Sequence, residues 1–445
     1  MPWILGNARN AGIFLLAMTL GACRQPVREP VTLNYFRLGW LSQSIESSSA
    51  APLLQRFTQK TGIHLKNLPV PESTLDQLDL SRKLLQEGSS GPDVLGLDLI
   101  WSGVLEGDLI DLRPYMATEI SSLEPQLLPS YTVGGKVVAV PYAVQVGSLQ
   151  YRTDLLRDYG YDHPPRTWDE LESMAQRIQA GERAKGKKDF WGYVWQGAAA
   201  EVLTCNALEW QVAEGGGQII ENDRTVSVNN PAAIRSWQRA KRWIGWISPP
   251  SVLAYRELDS MNIFDAGGAA FSRVWGGTTI TPSREFHLIH TRSSLPVSTA
   301  GFASMPGGPG GQAGTLGGSG IAVSRHSIKR EEAVELVRFL IREEIRSNQQ
   351  EQASANLPAQ PRVSNLPSLS DPRNFSEMPG SIKSGIVSRP SGVVGEKYDQ
   401  VARAYIAAVH SVLTGQSGPR EAAAGLEKVL VQMTGFSAGP PKTTK

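Results

Sequence analysis

Cysteine is almost absent from this chain of 445 residues: there are two, Cys23 and Cys205. The six histidines are scattered. Nothing has the spacing of His-x-x-x-His, Cys-x-x-Cys or a P-loop, so neither a metal nor a nucleotide cofactor is expected. A formal net charge of +2 with no Lys/Arg block excludes a surface that tracks nucleic-acid phosphates. The apolar run 11–20 holds ten residues, too few for a helix to cross a bilayer. The glycine-rich stretch 307–320 has no Lys-Ser/Thr end. It reads as a flexible loop running into a strand, and not as a nucleotide loop.

What is present describes a globular chain, 41% hydrophobic and 19% charged. Its length exceeds one ordinary core, so two lobes are expected. Arg9, the run 11–20 and then Leu20-Gly21-Ala22-Cys23 resemble a secretory signal ending in a bacterial lipobox. That likeness implies a lipidated Cys23 as the mature N-terminus, held at a membrane, with an ordinary secretory signal as the other reading. Residues 24–30 then form a tether. With Cys23 modified no internal disulfide is possible, and Cys205 is expected as a small buried hydrophobe.

From Val31 the pattern alternates. Strands are expected at 31–36, 64–70 and 93–98, and helices around Leu53–Phe57 and over Leu75–Leu85. This βαβαβ rhythm predicts a parallel sheet flanked by helices. The segment 136–152 is long and β-rich and is interrupted by Pro141 and Gly147, as a strand passing between lobes would be. Thr167 starts another helix, and Asn230-Pro231 caps the next. Stripes at Val334, Val337, Leu340 and Ile341 and at Tyr398, Val401, Tyr405, Val409 and Val412 predict two later helices. Residues 354–395 read mostly as loop and the tail from Ser437 as disordered.

Seven segments in register resemble the solute-binding proteins of carbohydrate ABC importers, nearest the trehalose/maltose-type binding lipoproteins. They are Gly91–Trp101, Val140–Leu156, Trp191–Gln196, Leu203–Trp210, Gly268–Trp275, Thr315–Gly318 and Arg389–Tyr398. The resemblance implies an α/β, two-lobe periplasmic-binding-protein fold (type II-like), each lobe a mostly parallel sheet with helices and the cleft between lobes. Carried over, the crossings fall near 145–148, 272–275 and 340–350. One lobe is then 31–146 plus 273–342, the other 147–272 plus 343–432, with a flexible tail at 433–445. It also implies a small carbohydrate ligand, ABC permease subunits as partner, a monomer, no nucleic-acid partner, no cofactor and no catalysis.

Sugars have C–H faces and hydroxyl rims, so a site needs flat aromatics and planar polar groups. Asp98, at the end of a predicted parallel strand, is the expected hydroxyl acceptor. Trp275 is expected to stack on a ring, with Arg273 beside it as a weaker candidate. Trp101 fits cleft wall or core. Tyr142, Trp195, Gln196, Glu201, Gly318 and Arg389 complete the candidates, and Pro390 helps to aim Arg389. Glu46 fits either the site or a solvated loop, and an exposed helix start is the other reading of Glu201. Gln145 and Ser319 depart from the family pattern, where Asp and an aromatic are frequent. The rival functions are a surface-anchored glycoside-processing enzyme, which would pair Asp98 with Glu201, and a binding protein that serves a sensor.

Overall fold

The computed structural model describes residues 30–36, 51–71, 74–121, 123, 128–276, 299–354 and 385–442. Cys23 and Glu46 lie outside these. The chain opens with β1 (Thr32–Phe36), α1 (Ala51–Thr61), β2 (His64–Asn67), α2 (Thr74–Gln86) and β3 (Val94–Asp98). Strand β1 pairs in parallel with β2 and with β3, so the βαβαβ reading holds here. Helix α1 stops because Gly62 turns to φ +74°, its N–H donating to Thr58 O at 2.8 Å. Strand β2 ends earlier than expected, before Pro69 and Pro71, which have no N–H to give a ladder.

Helices α3 (Ser102–Leu105) and α4 (Arg113–Ser121) lead to a two-stranded hairpin, β4 (Thr132–Val133) and β5 (Lys136–Val137). Its turn residues Gly134 and Gly135 both have positive φ, the conformation such a tight turn demands. Strand β6 (Val140–Arg152) follows, then α5 (Thr153–Asp158), α6 (Trp168–Ala184), β7 (Trp191–Val194), α7 (Glu201–Ala213), α8 (Pro231–Trp243), α9 (Glu257–Asp265) and β8 (Ala269–Gly276). Asn230 caps α8 as expected, accepting from the N–H groups of Ala232 and Ala233 at 3.0 Å. The remaining elements are β9 (Ala300–Ser304), β10 (Gly314–Val323), α10 (Arg330–Ser354), β11 (Ile386–Val387), α11 (Ser391–Val394), α12 (Tyr398–Thr414) and α13 (Pro419–Thr434).

The main sheet runs β2-β1-β3-β10-β6-β8-β7, with β11 on β10 and β9 on β6. It is mixed. The pairs β1/β2, β1/β3, β7/β8 and β10/β11 are parallel, whereas β10, β6, β8 and β9 meet antiparallel in the middle. Strand β6 links the two halves: 140–146 pair with β10 and 146–151 with β8. It runs unbroken through Gly147. The irregularity sits instead at Tyr142, the extra residue where Ser319 faces Ala143 and Gly320 faces Pro141.

The crossing expected at 272–275 lies directly beside 147–150 of β6, and residues 277–298 after it are outside the described residues. All of β8 from Phe271 pairs with the second half of β6, and β9 pairs with that same half at 148–152. Residues 300–304 thus belong beside 147–152, and β10 carries the chain back to the first half. The glycine-rich stretch is correspondingly less of a loop than its composition implies, because 314–320 lie inside β10.

One core packs β1, β3, α1, α4 and α10 through Phe57, Met116, Val334, Val337 and Leu340. A larger one covers the other face and continues under α6, α7, α8 and α12. Trp168, Trp195, Trp210 and Trp243 interlock there, with ring centroids 5.0–5.6 Å apart between Trp195 and Trp210, Trp168 and Trp243, and Trp210 and Trp243. Part of the expected tail is tied down: Val226 N–H donates to Ser437 O at 2.9 Å and Gly439 N–H to Val226 O at 3.1 Å.

Candidate functional site

Strands β3, β10, β6 and β8 bring candidate residues to one stretch of the sheet, stepped along β6 from Ala143 to Gly147. Asp98 closes β3 opposite Ser319 of β10, which in turn faces Ala143 of β6. Gln145 faces Gly317, and Trp275 at the end of β8 faces Gly147. A side-chain carbon at Gly317 would come within 2.7 Å of the Trp275 indole, so glycine lets the ring lie against the β10 backbone. Asp98, Gln145, Trp275 and Gly318 are each partly exposed along this stretch.

Arg389, two residues past β11, reaches the same stretch from the other side. Its Nη1 donates to Glu201 Oε1 at 3.0 Å and its Nη2 to Leu316 O at 3.4 Å. Nη2 also lies 3.7 Å from Asp98 Oδ1. Tyr398 OH donates to Glu201 Oε1 as well. The guanidinium is therefore shared between the carboxylate at the end of β3 and the one at the start of α7. Glu201 is buried, and burial pushes its carboxyl above the ordinary carboxylate range against the pull of Arg389 and Tyr398. Its Oε2 and Arg389 Nε are buried with no protein partner.

A second pair stands two turns along α7. Arg273 Nη2 donates to Glu209 Oε1 at 2.6 Å, and Arg273 Nε to Oε2 at 3.3 Å. Thr315 N–H adds a bond to Oε1 at 3.1 Å. Neither charged side chain has any exposed surface. Between the two pairs lies Cys205, buried as expected, its thiol pushed up to about 12 by desolvation. Among the described residues no group of three His, Cys, Asp or Glu could hold a metal ion.

The family model for bacterial extracellular solute-binding proteins matches residues 42–346. The chain belongs to that family. A relative from Deinococcus radiodurans, described as a probable ABC transporter-binding protein, is 38% identical over 384 residues, covering 85% of this chain and 89% of its own. Among solved structures, maltose-bound MalE3 of T. maritima is 30% identical with a TM-score of 0.75, covering 91% of this chain and all of that one. A solute-binding protein of Agrobacterium radiobacter in complex with ribitol is similar in fold, with a TM-score of 0.69 at 22% identity, covering 91% and 98%. The solute-binding protein described here therefore has the two-lobe α/β fold, is extracytoplasmic, and belongs among binding proteins and not enzymes.

The candidates named from sequence divide. Asp98, Arg389 and Glu201 lie within ion-pair distance of one another through the guanidinium, and Gln145, Gly318 and Trp275 stand on the neighbouring strands. Trp101 and Trp195 do not line an open surface: both are buried in the larger core, and Trp195 Nε1 donates to Ser248 Oγ at 3.0 Å. Gln196 is also withdrawn, its amide donating to Ser260 Oγ at 2.6 Å and to Arg273 O at 2.8 Å while accepting from Asn206 at 3.1 Å. Arg273 points into the protein toward Glu209. Glu201 is no exposed helix start. Tyr142 contributes its backbone to the β6 bulge. Glu209, Thr315 and Tyr398 were missed as partners. The signal available was polar residues on α7, all thirteen of whose residues are buried.

Proposed function

We propose that this solute-binding protein captures a small carbohydrate, a disaccharide of the maltose or trehalose type, between its lobes and delivers it intact to an ABC permease. The observation that carries the reading is the likeness to maltose-bound MalE3 at 30% identity over nearly the whole of both chains. The chemistry at the strand ends supports it. Trp275 offers a flat face for a C–H surface, and Asp98, Gln145 and the Arg389–Glu201 pair offer groups for hydroxyls. A ligand touching both lobes stabilises the closed form by its differential affinity for it. Micromolar binding, about −8 kcal/mol, suits capture followed by release. Hydrolysis is disfavoured because the Arg389 guanidinium stands between Asp98 and Glu201, 3.7 and 3.0 Å from their oxygens, where a scissile bond would have to lie.

The protein acts as a monomer held to the membrane by lipid on Cys23. This anchor suits a chain in which no helix among the described residues is long and apolar enough to cross a membrane. The test of the sugar reading is a thermal-shift and calorimetric screen over maltose, trehalose and polyols. A disaccharide raises Tm and is recovered unchanged. Asp98→Ala and Trp275→Ala each weaken binding at least about tenfold, roughly the loss of one charge-assisted hydrogen bond or one stacking face. Full affinity in both variants, or cleavage of the sugar, defeats the reading.

A further inference from the structure

The Arg273–Glu209 pair is fully enclosed, and it touches α7, β8, β10 and β6 at once. Glu209 is on α7, Arg273 on β8, and Thr315 N–H of β10 bonds the same carboxylate oxygen as Arg273 Nη2. Strand β6 passes so close that a side-chain carbon on Gly147 would sit 1.8 Å from Glu209 Oε1 and 2.7 Å from Arg273 Nη2. The Arg273 guanidinium carbon, part of a side chain with no exposed surface, lies 4.0 Å from the centroid of the Trp275 ring, a cation–π contact. Gln196 fixes the Arg273 carbonyl at 2.8 Å and is itself held by Asn206 of α7. A buried ion pair adds little stability beyond what apolar side chains of the same volume would give, so its presence here calls for a geometric reason. An aliphatic pair could fill the space but could not set the plane of an indole.

We propose that Glu209 and Arg273 are positioning residues: the pair orients the Trp275 indole and locks it to α7, β8 and β10, so that affinity expressed through Trp275 depends on two residues the ligand never touches. The affinity clause rests on the proposed sugar site, whereas the orientation of the indole does not. Ligand specificity then has a second determinant away from the cleft: substitutions at 209, 273 or 147 retune the stacking surface without altering any ligand contact.

The test uses the mature chain in two arms. Without sugar, the near-ultraviolet circular dichroism of the wild type minus that of Trp275→Phe isolates the Trp275 signal. The same difference measured in a Glu209→Gln background, and again in an Arg273→Lys background, is expected to lose at least about half its amplitude while the far-ultraviolet spectrum is unchanged. An undiminished difference in both backgrounds overturns the proposal. With maltose, Arg273→Lys is expected to weaken binding on the order of tenfold when Trp275 is present and less than about twofold in a Trp275→Ala background. Equal losses in the two backgrounds overturn positioning through Trp275. A wild-type chain that does not bind maltose defeats the sugar reading, and the sugar-free arm still decides the clamp. Lys keeps the charge beside Glu209, so a folded protein is expected even where Arg273→Met would collapse.

Discussion

Replacing Gly147 by alanine adds one methyl group at a strand position where the backbone itself accepts any residue, since Gly147 is not among the positive-φ glycines. Its cost therefore comes from contact alone. The new carbon would be placed 1.8 Å from Glu209 Oε1 and 2.7 Å from both Glu209 Cδ and Arg273 Nη2, all parts of side chains with no exposed surface. Neither group can swing into water. The pair must separate or β6 must move away from α7. Overpacking of a core costs about 1–3 kcal/mol and severing a buried ion pair about 3–5 kcal/mol. Reduced freedom of the unfolded chain returns about 0.5 kcal/mol to the alanine variant. A net loss of about 2–4 kcal/mol is expected, read from the urea midpoint at unchanged m-value. The control is the same substitution in a chain already carrying Glu209→Ala and Arg273→Met, where the obstructing atoms are gone and the added methyl should cost under about 1 kcal/mol. A loss under about 0.5 kcal/mol in the wild type, or an undiminished loss in the control, refutes the contact as the cause.

Two further substitutions separate stability from binding and test pH dependence. Trp195→Ala removes a ring from the interlocked tryptophans and leaves Ser248 Oγ without its indole donor, so stability should fall by about 3–5 kcal/mol by urea unfolding while calorimetric maltose affinity changes less than about threefold. Burial alone would raise the Glu182 carboxyl, but hydrogen bonds from Lys185 at 2.8 Å, Lys187 at 2.6 Å and Tyr159 at 3.0 Å outweigh it and hold the group at about 2. A lowered acid stabilises the fold above its ordinary value of 4.5 and loses that contribution as pH falls toward 2. Glu182→Gln should thus lower Tm at pH 7, with the deficit shrinking below pH 4.5; a deficit constant from pH 7 to 3 contradicts the assignment.

The first three strands and two helices were legible because short apolar or alternating runs mark the strands, apolar residues every third to fourth position mark the helices, and both helices stop near a glycine, Gly62 and Gly88. The middle of the sheet was not. Glycine normally signals a loop, yet 314–320 form a central strand because the side chains around them take the space a Cβ would need: Trp275 against Gly317, and Tyr131 and the Ala139 methyl at 2.7 and 3.0 Å from a carbon on Gly320. Gly147 was misread as a break for the same reason. Composition reports which residues prefer turns, whereas close approach from another element is a property of the folded chain. Trp101 was undecidable and Trp195 was misplaced because an indole suits a core or a sugar face equally, and only burial separates the two. Arg273 was placed in the site because it shares a strand face with Trp275 two residues on, yet Glu209 of α7 packs over it and leaves it no exposed surface, which spacing cannot show.

Helix α7 ties the candidate residues to the elements around them. Glu201, Cys205 and Glu209 fall at i, i+4 and i+8 and so form one stripe. Each is bound to a segment distant in sequence: Glu201 to Arg389 and Tyr398, the Cys205 carbonyl to Thr315 Oγ at 3.0 Å, and Glu209 to Arg273 and the Thr315 N–H. The helix is therefore cross-linked along one edge to β8, β10 and the 389–398 segment. At one end of that edge Arg389 leans toward Asp98 on the opposite strand end, at a separation too long for a good hydrogen bond. At the other end the ion pair is short, bidentate and buried. On the proposed sugar reading a ligand hydroxyl competes for the loose end, which stands two turns along α7 from the tight one. The two Glu–Arg pairs look alike in composition, but one leans toward a partly exposed strand end, whereas the other has no exposed surface and lies against Trp275.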